Sequence, residues 1–149
     1  MNQHRFRGLC IGTVLPLLLC AASGVASSKS EIKGAAILDH PCGKLAVKHM
    51  GLVHAGKMDA AVKVGTKEMQ EQWTAMSAAD KTMMSGMMKE MSQSEEQYSA
   101  DIKSNGVLVV DGPAATLTVK KATKDKNGTS TSTMTEKFKL DGGQWLMSP

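Results

Sequence analysis

The sequence contains very few arginines and cysteines, and it has no apolar segment long enough to serve as a permanent membrane anchor. Its only arginines, Arg5 and Arg7, lie close to the N-terminus, so lysine provides every other fixed positive charge of a side chain. Arginine is the residue best suited to bidentate contacts with phosphates and bases. Its scarcity therefore argues against specific nucleic-acid recognition and against an arginine-lined anion site.

The first 26 residues are typical of a cleaved signal peptide. Two arginines give a positive start, an apolar run covers residues 8–22, and Gly24 and Ala26 have the spacing that signal peptidases prefer. A transmembrane helix needs about 20 apolar residues, so this run is too short to anchor the chain. We expect cleavage after Ala26, with Ala22 and Ser28 as alternatives. The protein is then expected to be secreted, with the bacterial periplasm as its destination and no transmembrane segment in the mature chain.

The cysteines provide no internal crosslink. Cys10 and Cys20 belong to the predicted signal peptide, which leaves Cys42 as the single cysteine of the mature chain. A lipid anchor on Cys20 is the less favoured alternative, because such sites require a small preceding residue and Leu19 is large. One cysteine cannot form an internal disulfide, so packing must hold the fold together. We favour a buried thiol at Cys42 over a disulfide between two chains.

The mature chain is long enough for one domain. About 120 residues remain after cleavage, which suffices for a modest core. Residues 27–41 begin with a polar stretch and are expected to form a flexible N-terminal segment. The folded domain is expected over residues 42–149.

Helical patterns occupy the first half of this domain. The pattern from Pro41 predicts a helix that Gly56 ends, and a short second helix follows over residues 59–64. Thr66 is expected to cap a third helix. Ser77, with a carboxylate three residues on, predicts the start of a fourth helix that runs to about residue 91. Residues 93–97 are interpreted as a polar connection to the sheet.

Glycine turns divide the C-terminal third into predicted strands. Dipeptides that tolerate positive φ occur at residues 105–106, 111–112, 127–128 and 141–143, and the segments between them are rich in Val, Thr and Leu. We predict strands over residues 98–104, 107–110, 114–123, 129–140 and 144–147. Ala115, Leu117 and Val119 alternate with polar residues, which indicates one buried and one solvated face. An antiparallel meander is therefore the predicted architecture.

Three segments carry a resemblance to a known family. They are residues 55–61 (AGKMDAA), 111–119 (DGPAATLTV) and 141–147 (DGGQWLM). Together they resemble small secreted or lipid-anchored bacterial proteins of unknown function in the nuclear-transport-factor-2-like superfamily. The resemblance implies an α+β fold with N-terminal helices packed in the concavity of a curved antiparallel sheet of four to five strands, forming a cone. It also implies a homodimer as one expected assembly. Enzymes of this superfamily, such as ketosteroid isomerases and dehydratases, place Asp, His or Tyr inside the cone, and this sequence has no recognisable version of those sets.

A cluster of methionines lies at helical spacing in the fourth predicted helix. Its members are Met83, Met84, Met87, Met88 and Met91, which span one helix face. Methionine is an adaptable core residue, so packing of this face against the sheet is the favoured interpretation. Thioethers are also soft ligands that suit Cu(I). A soft-metal site and an adaptable binding surface are therefore the alternatives.

The histidines show no strong metal-binding spacing. A helical pair of ligands usually lies four residues apart, whereas His49 and His54 are five apart. His40 and Cys42 offer two ligand types without a second pair nearby. We therefore predict no metal site and no cofactor.

Glu136 is the most informative carboxylate. It lies on the same predicted strand face as Met134 and Phe138, and we expect these three residues to line a ligand pocket if that face is concave. A buried Glu136 would have a raised pKa and could act as a general base, with Tyr98 as a candidate neighbour. A solvated Glu136, or one turned outward by a bulge, is the alternative, and the solvated position is favoured because strand carboxylates are mostly exposed.

The sequence thus predicts a secreted, non-enzymatic binding protein that holds a small apolar ligand or a protein partner. The first alternative is a Cu(I) binder that uses the methionines of residues 83–91. The second is a small enzyme of the isomerase or dehydratase type that uses Glu136.

Overall fold

The computed structural model of the protein describes residues 29–125 and 128–149. The predicted signal peptide, with Cys10 and Cys20, lies outside the described residues. The described chain is an α+β fold in which five α-helices accompany one five-stranded antiparallel sheet. This confirms the predicted fold class at the level of its helices, strand number and strand direction.

The elements follow a simple order along the chain. After β1 (Ser30–Lys33) and a short 3-10 helix (Gly34–Leu38) come α1 (Pro41–His54), α2 (Met58–Val62), α3 (Lys67–Ala75), α4 (Ala78–Met91) and α5 (Glu95–Asn105). Strands β2 (Gly106–Asp111), β3 (Ala114–Asp125), β4 (Gly128–Asp141) and β5 (Gln144–Ser148) follow. The sheet order is β1-β2-β3-β4-β5. The sheet is therefore a meander whose first strand is separated from the others by all five helices.

Local signals explain where the helices begin and end. Nδ1 of His40 accepts a hydrogen bond from the backbone N–H of Cys42 at 3.2 Å and caps α1. Gly56, just beyond the end of α1, has a φ of 71°, which confirms its predicted role as the left-handed residue. The hydroxyl of Ser77 accepts from the backbone N–H of Asp80 at 3.1 Å, so the predicted start of α4 is also confirmed.

The prediction of a strand over residues 98–104 is wrong, because this segment lies in α5. Ser94 and Gln97 form a capping box, in which each side chain accepts a hydrogen bond from the other residue's backbone N–H. Tyr98 and Ile102 lie four residues apart on one helix face, and both are buried. The cap and this helical spacing outweigh the β preference of a tyrosine.

Residues 30–33 form the edge strand β1, although the sequence predicted a flexible segment over residues 27–41. Ile32 pairs with Leu108 of β2, and the register continues through all four residues of β1. Gly34 then turns the chain with a φ of 62°. An edge strand with one half-buried residue gives only a weak sequence pattern, which explains why polarity suggested a flexible segment.

The core lies between one face of the sheet and the helices α1 and α5. Leu117, Val119 and Phe138 are almost fully buried, while Thr116 and Thr118 of β3 are more exposed. The predicted alternation of the strands is therefore confirmed. The core residues from both layers are Ile37, Cys42, Ala46, Met50, Tyr98, Ile102, Leu108, Ala115, Leu117, Val119, Phe138 and Met147. Burying one leucine completely stabilises a fold by about 1.5–3 kcal/mol, so this cluster is the main source of stability.

Helix α2 lies outside this main core, whereas α3 contacts the main core through Met69. A second, smaller cluster of buried residues consists of Val53, Met58 and Ala61, with Trp73 of α3 packed against it. Within residues 29–125 and 128–149, none of the helices combines the length and apolarity that crossing a bilayer would require.

Candidate functional site

A cavity of about 410 Å³ opens between the helical layer and the sheet. Its walls come from α1, α4, β4, β5 and the C-terminal residue. Five methionines, here called the cavity methionines, provide much of the apolar lining: Met50, Met88, Met91, Met134 and Met147. The main ionisable groups among the buried and half-buried lining residues are Glu136 and His49. The lining of the site is therefore mainly apolar, and Glu136 and His49 are its least exposed ionisable groups.

The cavity methionines come from both layers of the fold. Met50 and Met147 are buried, Met134 is half-buried, and Met88 and Met91 of α4 are exposed. Unbranched thioether side chains adapt their shape to different contacts. The buried methionines Met50 and Met147 are thus held by packing, whereas the exposed methionines of α4 can adapt their conformation.

Glu136 is buried, so the favoured expectation of a solvated carboxylate is wrong. Its residue is only 9% exposed, and it lies opposite Leu117 in the register of β3 and β4. The hydroxyl of Tyr98 donates a hydrogen bond to Oε2 of Glu136 at 2.8 Å. Burial raises the pKa of Glu136 to about 7, and the hydrogen bond from Tyr98 opposes part of that rise. The carboxyl of Glu136 therefore changes its protonation state near neutral pH.

Tyr98 acts as a stable donor in this pair. Burial, followed by the charge of Glu136 and the hydrogen bond between the two, raises the pKa of Tyr98 far above its ordinary value. The hydroxyl therefore keeps its proton whenever the protein is folded. Tyr98 was the expected neighbour of Glu136, but α5 rather than a strand positions it.

His49 contributes the second polar group of the cavity. Burial lowers its pKa below the ordinary value, which favours the neutral imidazole. Its Nδ1 atom is buried, and no hydrogen-bond partner for it lies within the part of the chain that the structure describes. Buried polar atoms are nearly always paired, so the unpaired Nδ1 atom of this cavity-lining residue is unusual.

The other candidate ligands lie apart from the cavity. His40 caps α1, and Nδ1 of His54 lies 3.3 Å from the hydroxyl of Ser92. Cys42 is completely buried in the core, and burial raises its pKa to about 12, so the buried-thiol interpretation is confirmed. Across residues 29–125 and 128–149, no three His, Cys, Asp or Glu side chains come together as a metal site.

The structure divides the three predicted pocket residues. Met134 and Glu136 line the cavity, whereas Phe138 lies deeper in the core and does not border it. Lys137 and Thr135, the neighbours of Glu136 on β4, also border the cavity. The cavity thus lies near the edge of the sheet that β4 and β5 form.

The methionines of α4 are exposed, so their predicted packing against the sheet is wrong. Met83 is 62% exposed and Met91 is 73% exposed, and none of the residues of α4 is buried. Helices α1 and α5 already cover the inner face of the sheet and provide its core contacts. Helix α4 is left on the outside, and only Met88 and Met91 of its methionine face reach the cavity.

Sequence reasoning missed two parts of the site. His49 was considered only for its spacing to His54, and Met50 and Met147 were not connected with Met134. Met147 lies opposite Phe138 in the register of β4 and β5. The alternation along β5 could have placed Met147 on the inner face, but only the tertiary fold brings α1 and α4 to the same place.

No protein-family model, no curated protein and no solved structure matches this chain, so a role for the cavity must be argued from its own residues.

Proposed function

We propose that this chain is a secreted, non-enzymatic binding protein of nuclear-transport-factor-2-like form. Its ligand is a small apolar molecule with one hydrogen-bonding polar group, held in the cavity. The observation that carries this proposal is an apolar cavity of about 410 Å³ with a buried carboxyl on its wall. The fold class and the leader-like residues 1–26 are compatible with the form and with secretion.

The size and lining of the cavity favour an apolar molecule. Ligand pockets typically occupy about 300–1,000 Å³ and combine an apolar lining with a few polar groups. Five methionines from four elements provide such a lining, and their adaptable side chains fit ligands of different outline. The driving force for binding is then the removal of apolar surface from water.

Glu136 gives the ligand its orientation. Its side chain is held by the hydrogen bond from Tyr98, so the carboxyl does not have to be ordered when a ligand binds. A ligand hydroxyl or amine can donate to this carboxyl inside a low-dielectric cavity. Such a bond contributes about 1.5–3 kcal/mol when one partner is charged. Glu136 therefore selects a ligand with a donor over a plain hydrocarbon.

The fluorescent probe 1-aminoanthracene tests this function, because it is an apolar tricycle with a single amino group. We expect saturable binding to the purified protein, with enhanced probe fluorescence. Glu136→Met removes the carboxyl while keeping an unbranched side chain, and it should weaken binding by about tenfold, the equivalent of about 1.4 kcal/mol.

Two size-matched variants provide the control for location. Met134→Phe adds bulk inside the cavity and should reduce probe binding, whereas Met83→Phe adds the same bulk to α4 outside the lining. Equal binding by the two variants would contradict the proposed site. Absence of saturable binding to the wild-type protein would contradict the proposed function for this ligand class.

A second candidate function is proton transfer by Glu136. The buried position of this carboxyl in the cavity and its pKa of about 7 suit a general base at neutral pH. In this function Glu136 would remove a proton next to a ketone carbonyl and return a solvent proton to the same carbon. The test is protein-dependent deuterium exchange into α-tetralone in D2O, followed by mass spectrometry. Glu136→Gln should abolish that exchange, and exchange at the same rate in the variant would refute the base role.

A further inference from the structure

The cavity methionines place thioether side chains from distant parts of the chain around one cavity. They come from α1, α4, β4 and β5, and they include five of the twelve methionines of the sequence. Simple core packing does not require a thioether at each of these positions, because leucine fills similar space. A concentration of thioethers around one cavity is the chemistry that soft metal ions prefer.

His49 adds a nitrogen donor to the same cavity wall. Its Nδ1 atom is buried without a hydrogen-bond partner among the described residues. The unpartnered nitrogen is therefore a second observation, independent of the methionines, that indicates a bound species.

The surroundings disfavour other kinds of cation. Hard cations such as Mg²⁺ and Ca²⁺ require several oxygen ligands, and Glu136 is the only carboxylate side chain on the described cavity wall. The thiol of Cys42 lies in the core rather than on this wall, so it does not compete with the thioethers.

We propose that the cavity methionines and His49 form a binding site for a soft monovalent cation of the Cu(I) type. Met88 and Met91 lie three residues apart on α4, so they face the same side of that helix and supply thioethers together. Their exposure gives the ion a route into the site from solvent. The site binds the ion without a change of oxidation state.

This inference goes beyond the proposed function and shares its cavity. Cu(I) and an apolar ligand should therefore exclude each other. The two activities depend on different atoms, because Cu(I) needs sulfur and nitrogen whereas the apolar ligand needs volume and the carboxyl of Glu136. A variant of Glu136 can consequently weaken binding of the apolar ligand and leave Cu(I) binding unchanged.

The test is an anaerobic titration of the purified protein with Cu(I) in competition with the chromogenic chelator bicinchoninate. We expect a single Cu(I) ion per chain. The double variant Met88→Leu/Met91→Leu keeps the apolar character of the site but removes two thioethers. Even changes outside the ligand shell typically cost about 10- to 100-fold in metal affinity, so loss of these ligands should cost no less.

Matched controls separate this site from general methionine chemistry. Met83→Leu/Met84→Leu changes two exposed methionines of the same helix that do not border the cavity, and it should retain wild-type Cu(I) affinity. Glu136→Gln should still bind Cu(I), because its carboxyl is not among the proposed ligands of the ion. Thermal unfolding of each variant checks that the fold is intact.

The proposal is overturned if the wild-type protein does not compete with bicinchoninate for Cu(I). It is also overturned if the two double variants lose the same Cu(I) affinity, or if Met88→Leu/Met91→Leu keeps the wild-type Cu(I) affinity. His49→Leu provides an independent variant, because it removes the nitrogen donor without touching α4. Wild-type Cu(I) affinity in His49→Leu would exclude the histidine from the site and overturn the ligand set.

Discussion

Replacing Glu136 with glutamine should remove a large pH dependence from the stability of the protein. Glutamine has a similar size and can still accept the hydrogen bond from Tyr98, so the variant chiefly removes the titrating proton. In the wild-type protein, burial raises the pKa of Glu136 from its ordinary value of 4.5 to about 7. Between these pH values the folded state holds the proton and the unfolded state has released it.

The sign and the size of the effect follow from this difference. Stability falls as the pH rises from about 4.5 to about 7, because the unfolded state then binds fewer protons than the folded state. Each pKa unit corresponds to about 1.4 kcal/mol, so the full decrease is about 3 kcal/mol. Below pH 4.5 and above pH 7 the contribution of Glu136 is constant.

Urea unfolding between pH 4 and pH 8, followed by tryptophan fluorescence, measures this effect. His40 and His49 have lowered pKa values and therefore contribute in the opposite direction below their ordinary pKa. They are present in both proteins, so the difference in unfolding free energy between wild type and variant isolates Glu136. That difference should change by about 3 kcal/mol across the range. A constant difference at every pH would refute the burial of an ionisable Glu136.

Three further variants test the surroundings of the site and the packing of the helices. Tyr98→Phe removes the donor to Glu136 and should cost about 1–3 kcal/mol; it should also raise the pKa of Glu136 further, seen as a pH-dependent decrease that extends to higher pH in the same urea series. Gly43→Ala should destabilise the protein by about 1–3 kcal/mol or more, because the added Cβ would collide with the backbone carbonyl of Ile37. Gly86→Ala in α4 should stabilise the protein by about 0.5–1 kcal/mol, because no atom lies within 4 Å of the added Cβ. Thermal melting compares the two glycine variants, and equal shifts in the same direction would contradict the packing described for α1 and α4.

The sheet was largely predictable because its signals are local. The Asp-Gly turns at residues 111–112 and 141–143 fix two hairpins, and alternation along β3 and β4 identifies the buried face. Pro41 and the capping residue Ser77 likewise marked the starts of α1 and α4. These features depend on neighbouring residues, which a sequence displays directly.

The candidate site was less predictable because it depends on tertiary packing. The burial of Glu136 follows from the position of Tyr98 on α5, and the sequence suggested a strand there. The methionine face of α4 has the apolar spacing of a core helix, but α1 and α5 already occupy the sheet. No local sequence pattern could show which of the helices would pack against the inner face of the sheet. Met134 and Glu136 could be placed on one strand face, whereas His49 and Met147 joined the site only through the fold.

The most direct test of the central claim is NMR of the protein with ¹³C-labelled methionine methyl groups, titrated with 1-aminoanthracene. The claim is that one cavity, lined by methionines from four elements, is the binding site of this protein. We expect the methyl signals of the cavity methionines to shift together and saturably, while those of Met83 and Met84 stay in place. Shifts confined to Met83 and Met84, or no saturable shift in any cavity methionine, would contradict the account.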